Sequence, residues 1–365
     1  MGGIADEIRA AAHRLGRHPQ DHGWRDLYRL FAYGLARPAA APRLTSIATA
    51  AHHRLPTRSA VHLVTLLGIA VKLFAGAAIY DLTGDRPPAD RLAALEDLLG
   101  RYHHPVEAVL AQRQNSFTGA RRFLVPQVLL AAYFAGRDRP VRFADLGTGL
   151  GVLPRQLNAR TAFEEFRYDL AWPDGYPVYQ PIPALAARYG VDRGPFPDLS
   201  WVRSCYGPSS YYAERFQELV DTLALPEVAD AAVRYHELDF TDLPTLRRFL
   251  TEHRINAANL CYTLYEVEPR QRAAIIDTVV ASLTAPGLLV VTEPHADLTE
   301  PGCSVTVWEA GQPHPRPLCS VSHGHFHGRI TPLAGYREFV QQYPIRFEED
   351  AGAVDADAHP RDHAA

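Results

Sequence analysis

Three features of the 365-residue chain predict an α/β protein with an all-helical N-terminal part. The first 135 or so residues carry only apolar spacing at i, i+3, i+4, the mark of amphipathic helices. From Val141 onward short apolar runs alternate with helical ones, which implies a parallel sheet covered on both faces. Near the C-terminus two β-branched stretches flank a turn-rich segment, which implies a closing antiparallel hairpin. We therefore expect a helical domain over 1–138, a sheet domain over 139–346 and a tail over 347–365. The tail is acidic, small and aperiodic, so it is expected to be disordered.

In order, helical patterns cover 4–16, 23–36, 42–54, 58–80, 88–100 and 105–136, separated by proline-containing breaks. The run "AVHLVTLLGIAVKLFAGAAIY" at 60–80 has the ~20-residue length of a membrane span. His62 and Lys72 interrupt it and no basic cluster flanks it, so a buried core helix is expected and membrane attachment is not. The last helical pattern carries Asn115, Arg121 and Arg122. "VRFADLG" then reads as the first strand and "VLPRQLNARTAFEEF" as the helix after it. "WVRSCYG" at 201–207 and "AVRYHELDF" at 232–240 read as strands, with the helical "SYYAERFQELVDTLA" between them. "AANLCYTL", the helix "PRQRAAIIDTVVASL" and the strand "GLLVVTEP" follow, and "CSVTVWEA" and "PLCSVSHGHFHGRI" form the closing hairpin.

The formal charge of −4 gives no reason to expect a polyanionic partner such as nucleic acid. The four cysteines show no CxxC spacing, and the N-terminus lacks a basic-then-apolar signal, so a cytoplasmic protein with reduced thiols is expected. Cys303 and Cys319, symmetric about Gly311, are expected to face each other across the hairpin. His323, His325 and His327 recur at period two and share one face if they lie on a strand. Neighbours at i and i+2 are then about 7 Å apart, too far for one metal to take all three, so lining an acceptor pocket is favoured and no metal is expected.

The most informative stretch is "FADLGTGLGVLP" at 143–154. A polar ligand at the carboxyl edge of a parallel sheet needs the first strand-to-helix turn close by, and glycine both clears that approach and permits positive φ. Dinucleotide sites favour GxGxxG, whereas Gly147, Gly149 and Gly151 form GxGxG, preceded by Asp145. A purely structural turn is the alternative.

This run resembles motif I of class I S-adenosylmethionine-dependent methyltransferases. The resemblance implies a Rossmann-like sheet with S-adenosylmethionine as cofactor and its methionine moiety on Asp145, Gly147, Gly149 and Gly151. It also implies a ribose-binding acid after strand two, for which both Asp169 in "FRYDL" and Asp192 in "YGVDRGP" are candidates. Asp239 in "ELDFTDLP" falls where an acid meets the adenine amino group, with Phe240 to pack on the ring. The resemblance further implies that the last N-terminal helix covers the cofactor edge, which makes Asn115 a candidate to touch the ligand carboxylate or the acceptor, an ordinary polar helix face being the alternative. The order "RQNSFTG…P", the glycine turn, "EFRYDL", "GVDRGPFPD", "WVRSCYGP" and "HGHFHGR" further resembles a large actinobacterial family of methyltransferase-like proteins with a domain of unknown function, over roughly residues 20–335. The chain departs from that family in its richer glycine turn and in lacking a His-Ser pair after strand four.

Methyl transfer to oxygen or nitrogen is helped by a base near neutral pKa. His295 after strand five is the first choice and Glu266 after strand four the second. Tyr262, Tyr265 and Glu293 stand beside them, and for each the plainer alternative is a loop residue capping the next helix. Three functions stay open: a methyltransferase acting on a small molecule, with the helical domain as lid and acceptor site; the same fold redirected to non-methylating chemistry, such as an intramolecular displacement closing a small nitrogen ring; and a non-catalytic scaffold binding a metabolite. A homodimer or a partner subunit is compatible with each.

Overall fold

The computed structural model describes residues 3–17, 24–298, 300–312 and 314–348. The helical part comprises α1 (Ile4–Leu15), α2 (Arg25–Leu35), α3 (Pro42–Arg54), α4 (Ala60–Ala75), α5 (Ile79–Thr83), α6 (Pro88–Arg101), α7 (His103–Gln112) and α8 (Leu124–Phe134). The apolar run of 60–80 becomes α4, started by Ser59, whose hydroxyl accepts from His62 N. Although α4 and its continuation are long and apolar enough to cross a membrane, Val61, Leu63, Leu66, Ile69 and Val71 are buried in the helical core.

The expected helix over 105–136 is broken. Residues 113–123 leave helical geometry, because Asn115 Oδ1 accepts from Phe117 N at 3.1 Å and offers the backbone a local alternative. Asn115, Arg121 and Arg122 therefore lie on an irregular crossing segment and not on a helix. That segment passes the turn after β1, where Ser116 is the residue nearest the Cβ position of Gly149.

The sheet region continues as β1 (Val141–Leu146), α9 (Val152–Gln156), α10 (Arg160–Phe166), β2 (Leu170–Ala171), β3 (Leu185–Asp192), α11 (Leu199–Cys205), α12 (Ser210–Ala224), α13 (Pro226–Ala229), β4 (Arg234–Glu237), α14 (Leu243–Glu252), β5 (Ala257–Cys261), α15 (Pro269–Ser282), β6 (Leu288–Pro294), β7 (Cys303–Glu309), β8 (Arg316–Val321), β9 (Gly328–Pro332) and α16 (Tyr336–Gln342). The stretch 201–207, expected as a strand, lies mostly in α11. Asp198 caps it by accepting from Trp201 N at 2.7 Å, and this capping outweighs the strand propensity of Trp and Val.

The nine strands form one sheet in the order β2-β9-β8-β7-β6-β5-β1-β3-β4. β4, β3, β1, β5 and β6 run parallel, and β7, β8 and β9 continue antiparallel, so the sheet is mostly parallel with an antiparallel extension. The chain runs outward from β1 to β3 and β4, then returns to the other side of β1 as β5. Such a reversal opens a crevice at the carboxyl ends of the strands.

β1 alternates as a doubly covered strand must. Val141 and Phe143 join the core under α8, while Ala144 and Leu146 join the core under α14 and α15. Packing also redistributes the expected domains: α8 covers the sheet, while Trp201, Val202, Cys205 and Tyr212 of α11 and α12 join the core of the helical body. Lys72 on α4, the only lysine, ties the two together by donating to the carbonyls of Arg203, Ser204 and Tyr206 at the end of α11.

Of the expected tail, Phe347 and Glu348 are held in place, Phe347 bridged to Pro177 and Glu348 paired with Arg167. The remainder, 349–365, lies outside the described residues. Cys303 and Cys319 are both buried thiols, yet they are not opposite each other: Cys303 faces Val321 and Cys319 faces Val305, so the pair is diagonal.

Candidate functional site

The turn after β1 adopts the geometry that its glycines allow. Gly147, Gly149 and Gly151 have φ of +83°, +52° and +69°, a region that side-chain-bearing residues enter at a cost. The three serve different purposes. A Cβ at Gly147 would lie 2.5 Å from Thr263 Oγ1, and one at Gly151 would lie 2.5 Å from Tyr235 Oη, so both are dictated by packing. At Gly149 nothing stands closer than 3.8 Å, and its backbone faces a cleft of about 840 Å3.

Strand-end acids form the sheet wall of that cleft. Asp145 is buried, its Oδ1 accepting from Asn259 Nδ2 at 2.7 Å, and burial pushes its carboxyl up to about 6. Asp192, at the end of β3, accepts from Gly149 N at 2.8 Å and from Arg193 N at 2.7 Å. Burial pushes it up to about 7, with those two N–H groups opposing the shift. Beyond β4, Asp239 accepts from Thr241 N at 3.0 Å and meets Arg193 Nε at 3.3 Å, with Phe240 beside it in the cleft lining.

Of the two acids expected after the second strand, Asp192 stands beside the glycine turn and Asp169 does not. Asp169 precedes β2, which sits at the opposite edge of the sheet, and it pairs with Arg121 at 2.6 Å. The strand hydrogen-bonded to β1 is β3, which ends at Asp192.

The helical wall faces these acids across the cleft. Arg58, His62, Asn115 and Arg122 line it, together with Glu266 from the turn after β5. Glu266 Oε1 accepts from Asn115 Nδ2 at 2.8 Å and from Tyr265 Oη at 2.9 Å. Its Oε2 lies 2.8 Å from Nδ1 of His62, which is only 2 % exposed. Arg58 donates to the Leu110 carbonyl at 2.7 Å, and burial together with nearby Arg193 lowers its guanidinium to about 10.

The other expected bases are placed differently. His295 lies outside the cleft lining, with Nε2 2.9 Å from Ser320 Oγ on β8. Glu293 accepts from Thr263, Leu264 and Tyr265 N–H groups, each at 2.8 Å, which makes it a clamp on the turn that carries Glu266. Burial raises it to about 7. Tyr262 lines the cleft with φ +55°; burial holds its phenol well above the usual range, and the Arg122 guanidinium sits 4.3 Å over its ring.

A second cleft, of about 690 Å3, adjoins the first and shares Asn115, Phe117, Arg122 and Tyr262 with it. Its other walls include Trp24, Tyr28 and Tyr212 from the helical body, along with Tyr265 and His325. Trp201 is absent from this lining: it is core, donating Nε1–H to the Gln114 carbonyl at 3.0 Å.

The histidine run is a turn between β8 and β9, not a strand, with His325 N donating to His323 Nδ1 at 3.1 Å. His325 packs against Phe117, Tyr211 and Tyr212, and burial drives its pKa well below the usual value. Among the described residues, the metal-type donors that cluster are His103, His104 and Glu107 on α7, and Glu107 already pairs with Arg54. His323, His325 and His327 form no such cluster.

Sequence reasoning passed over Arg58, His62 and Arg193 as site residues. His62 had a visible signal, a polar residue within a mostly apolar helix. Arg193 had another, its place directly after Asp192. No protein-family model matches this chain, and no curated protein matches it.

Proposed function

We propose that the chain is an S-adenosylmethionine-dependent methyltransferase of the Rossmann-like class, acting on a small molecule. The observation that carries this reading is Gly149, a left-handed glycine whose Cα faces an open cleft while Asp192 holds its N–H. The residues present suit the cofactor: the backbone of 147–149 for the methionine moiety, Asp192 for the ribose hydroxyls, and Asp239 with Phe240 for the adenine.

When bound, the cofactor supplies an electrophilic methyl group on a sulfonium. The protein's own part is to align the acceptor, exclude water and take a proton from it. Glu266 is the side chain best placed for the last task. Asn115 and Tyr265 fix one of its oxygens, and the other rests against the buried His62, so a carboxylate and an imidazole stand together at the wall.

Calorimetric titration with S-adenosylmethionine and S-adenosylhomocysteine tests the proposal. The wild type is expected to bind in the micromolar range, Gly149→Val to lose binding, and Asp239→Ala to weaken it about tenfold. No binding by the folded wild type would overturn the reading. That outcome would leave the non-methylating displacement or the metabolite-binding scaffold.

A further inference from the structure

Arg121 and Arg122 are neighbours in sequence and both are buried, yet they are treated differently. Arg121 is saturated, with Asp169 on Nε and Glu218 on Nη1. Arg122 is 7 % exposed and meets no carboxylate within ion-pair distance among the described residues. Its one hydrogen bond runs from Nη1 to the Phe117 carbonyl at 3.3 Å, and Nε has no partner. The guanidinium lies beside two rings, 4.3 Å from the Tyr262 centroid and 5.2 Å from that of Phe117. A buried cation left unpaired is costly, so a chain that keeps one facing a cavity is built to receive an anion there.

The position of Arg122 narrows the ligand. It lines both clefts, and the second cleft is walled by flat side chains, among them Trp24, Tyr28, Phe117 and Tyr212. Aromatic walls favour a flat partner, and a planar guanidinium favours a planar carboxylate that it can grip with two parallel hydrogen bonds. We propose that the second cleft is the acceptor site and takes a flat aromatic carboxylate, its acid group on Arg122 and its ring between the aromatic walls. This rests on the methyltransferase reading only for the word acceptor; the anion site stands on geometry alone. The same carboxylate chemistry is carried by the methionine end of the cofactor, so the test must separate the two sources.

The probes are naphthalene-2-carboxylate and its uncharged counterpart 2-naphthalenemethanol, titrated into the full chain by calorimetry. S-adenosylhomocysteine is titrated separately. The wild type is expected to bind the acid at least about tenfold more tightly than the alcohol. Arg122→Gln is expected to erase that preference, and Arg122→Lys to retain part of it. Equal binding of acid and alcohol by the wild type, or no binding of the acid, overturns the proposal without any variant. A variant that loses S-adenosylhomocysteine but keeps the preference for the acid assigns Arg122 to the cofactor carboxylate and overturns it too. If the wild type binds the acid on Arg122 but not S-adenosylhomocysteine, the anion site stands and the methyltransferase reading falls.

Discussion

The two walls of the main cleft are built in opposite ways. The sheet wall presents Asp145, Asp192 and Asp239, each at or just beyond a strand end and each satisfied by a nearby hydrogen bond or ion pair. The helical wall presents Arg58, His62 and Arg122, gathered from α4, its approach and the irregular segment 113–123. There several polar atoms have no partner, among them Arg58 Nε and Nη2, His62 Nε2 and Arg122 Nε. A wall whose acids are already satisfied serves chiefly as scaffold. A wall with spare donors is where a ligand has most to gain, because each contact relieves an existing desolvation cost.

Substitutions in the sheet scaffold behind that wall should therefore act first on stability, and Glu293 at the end of β6 should show the largest effect. Glu293→Ala strips the acceptor from three backbone N–H groups at the turn carrying Glu266. It is expected to cost about 3 kcal/mol in urea denaturation. A loss below about 1 kcal/mol would mean that the turn holds itself without the clamp.

Within the glycine turn the contrast is sharper still. Gly147→Ala forces a methyl against Thr263 and is expected to cost about 2 to 3 kcal/mol. Gly149→Ala meets no atom closer than 3.8 Å. It is expected to lose only about 1 kcal/mol of stability, while weakening S-adenosylhomocysteine about tenfold by calorimetry. If the two alanines prove equal in both measurements, the division between a packing glycine and a ligand-facing glycine is wrong.

The smallest expected effect is one of pH. Asp192 has its carboxyl raised to about 7, above its unfolded value, so it is protonated in mild acid and releases that proton as pH rises through neutrality. The ionised form is the better acceptor for ribose hydroxyls. Affinity for adenosine, which carries no group titrating near neutrality, should rise about threefold between about pH 6 and about pH 8. Asp192→Asn should flatten that dependence, and an unchanged slope in the variant would remove Asp192 from the ribose site.

What the sequence determined by itself is what depends on neighbours along the chain. Short apolar runs define β1, β4, β5 and β6; a strand followed by GxGxG defines the turn; and the ends of those strands define where Asp145 and Asp239 stand, whereas β3, which ends at Asp192, is not among the strands read from local pattern. The local reading failed where capping or turn chemistry outweighed side-chain pattern, at α11, at 113–123 and at the histidine turn.

Only the tertiary structure could choose between Asp169 and Asp192, because strand order in a sheet is set by packing over long separations and not by chain order. Only it could bring Arg58 and His62 from one end of the helical body to Glu266 more than 200 residues later. The same holds for leaving Arg122 unpaired beside a saturated Arg121. Whether a buried charge finds a partner depends on which distant side chains reach it, and no local period records that.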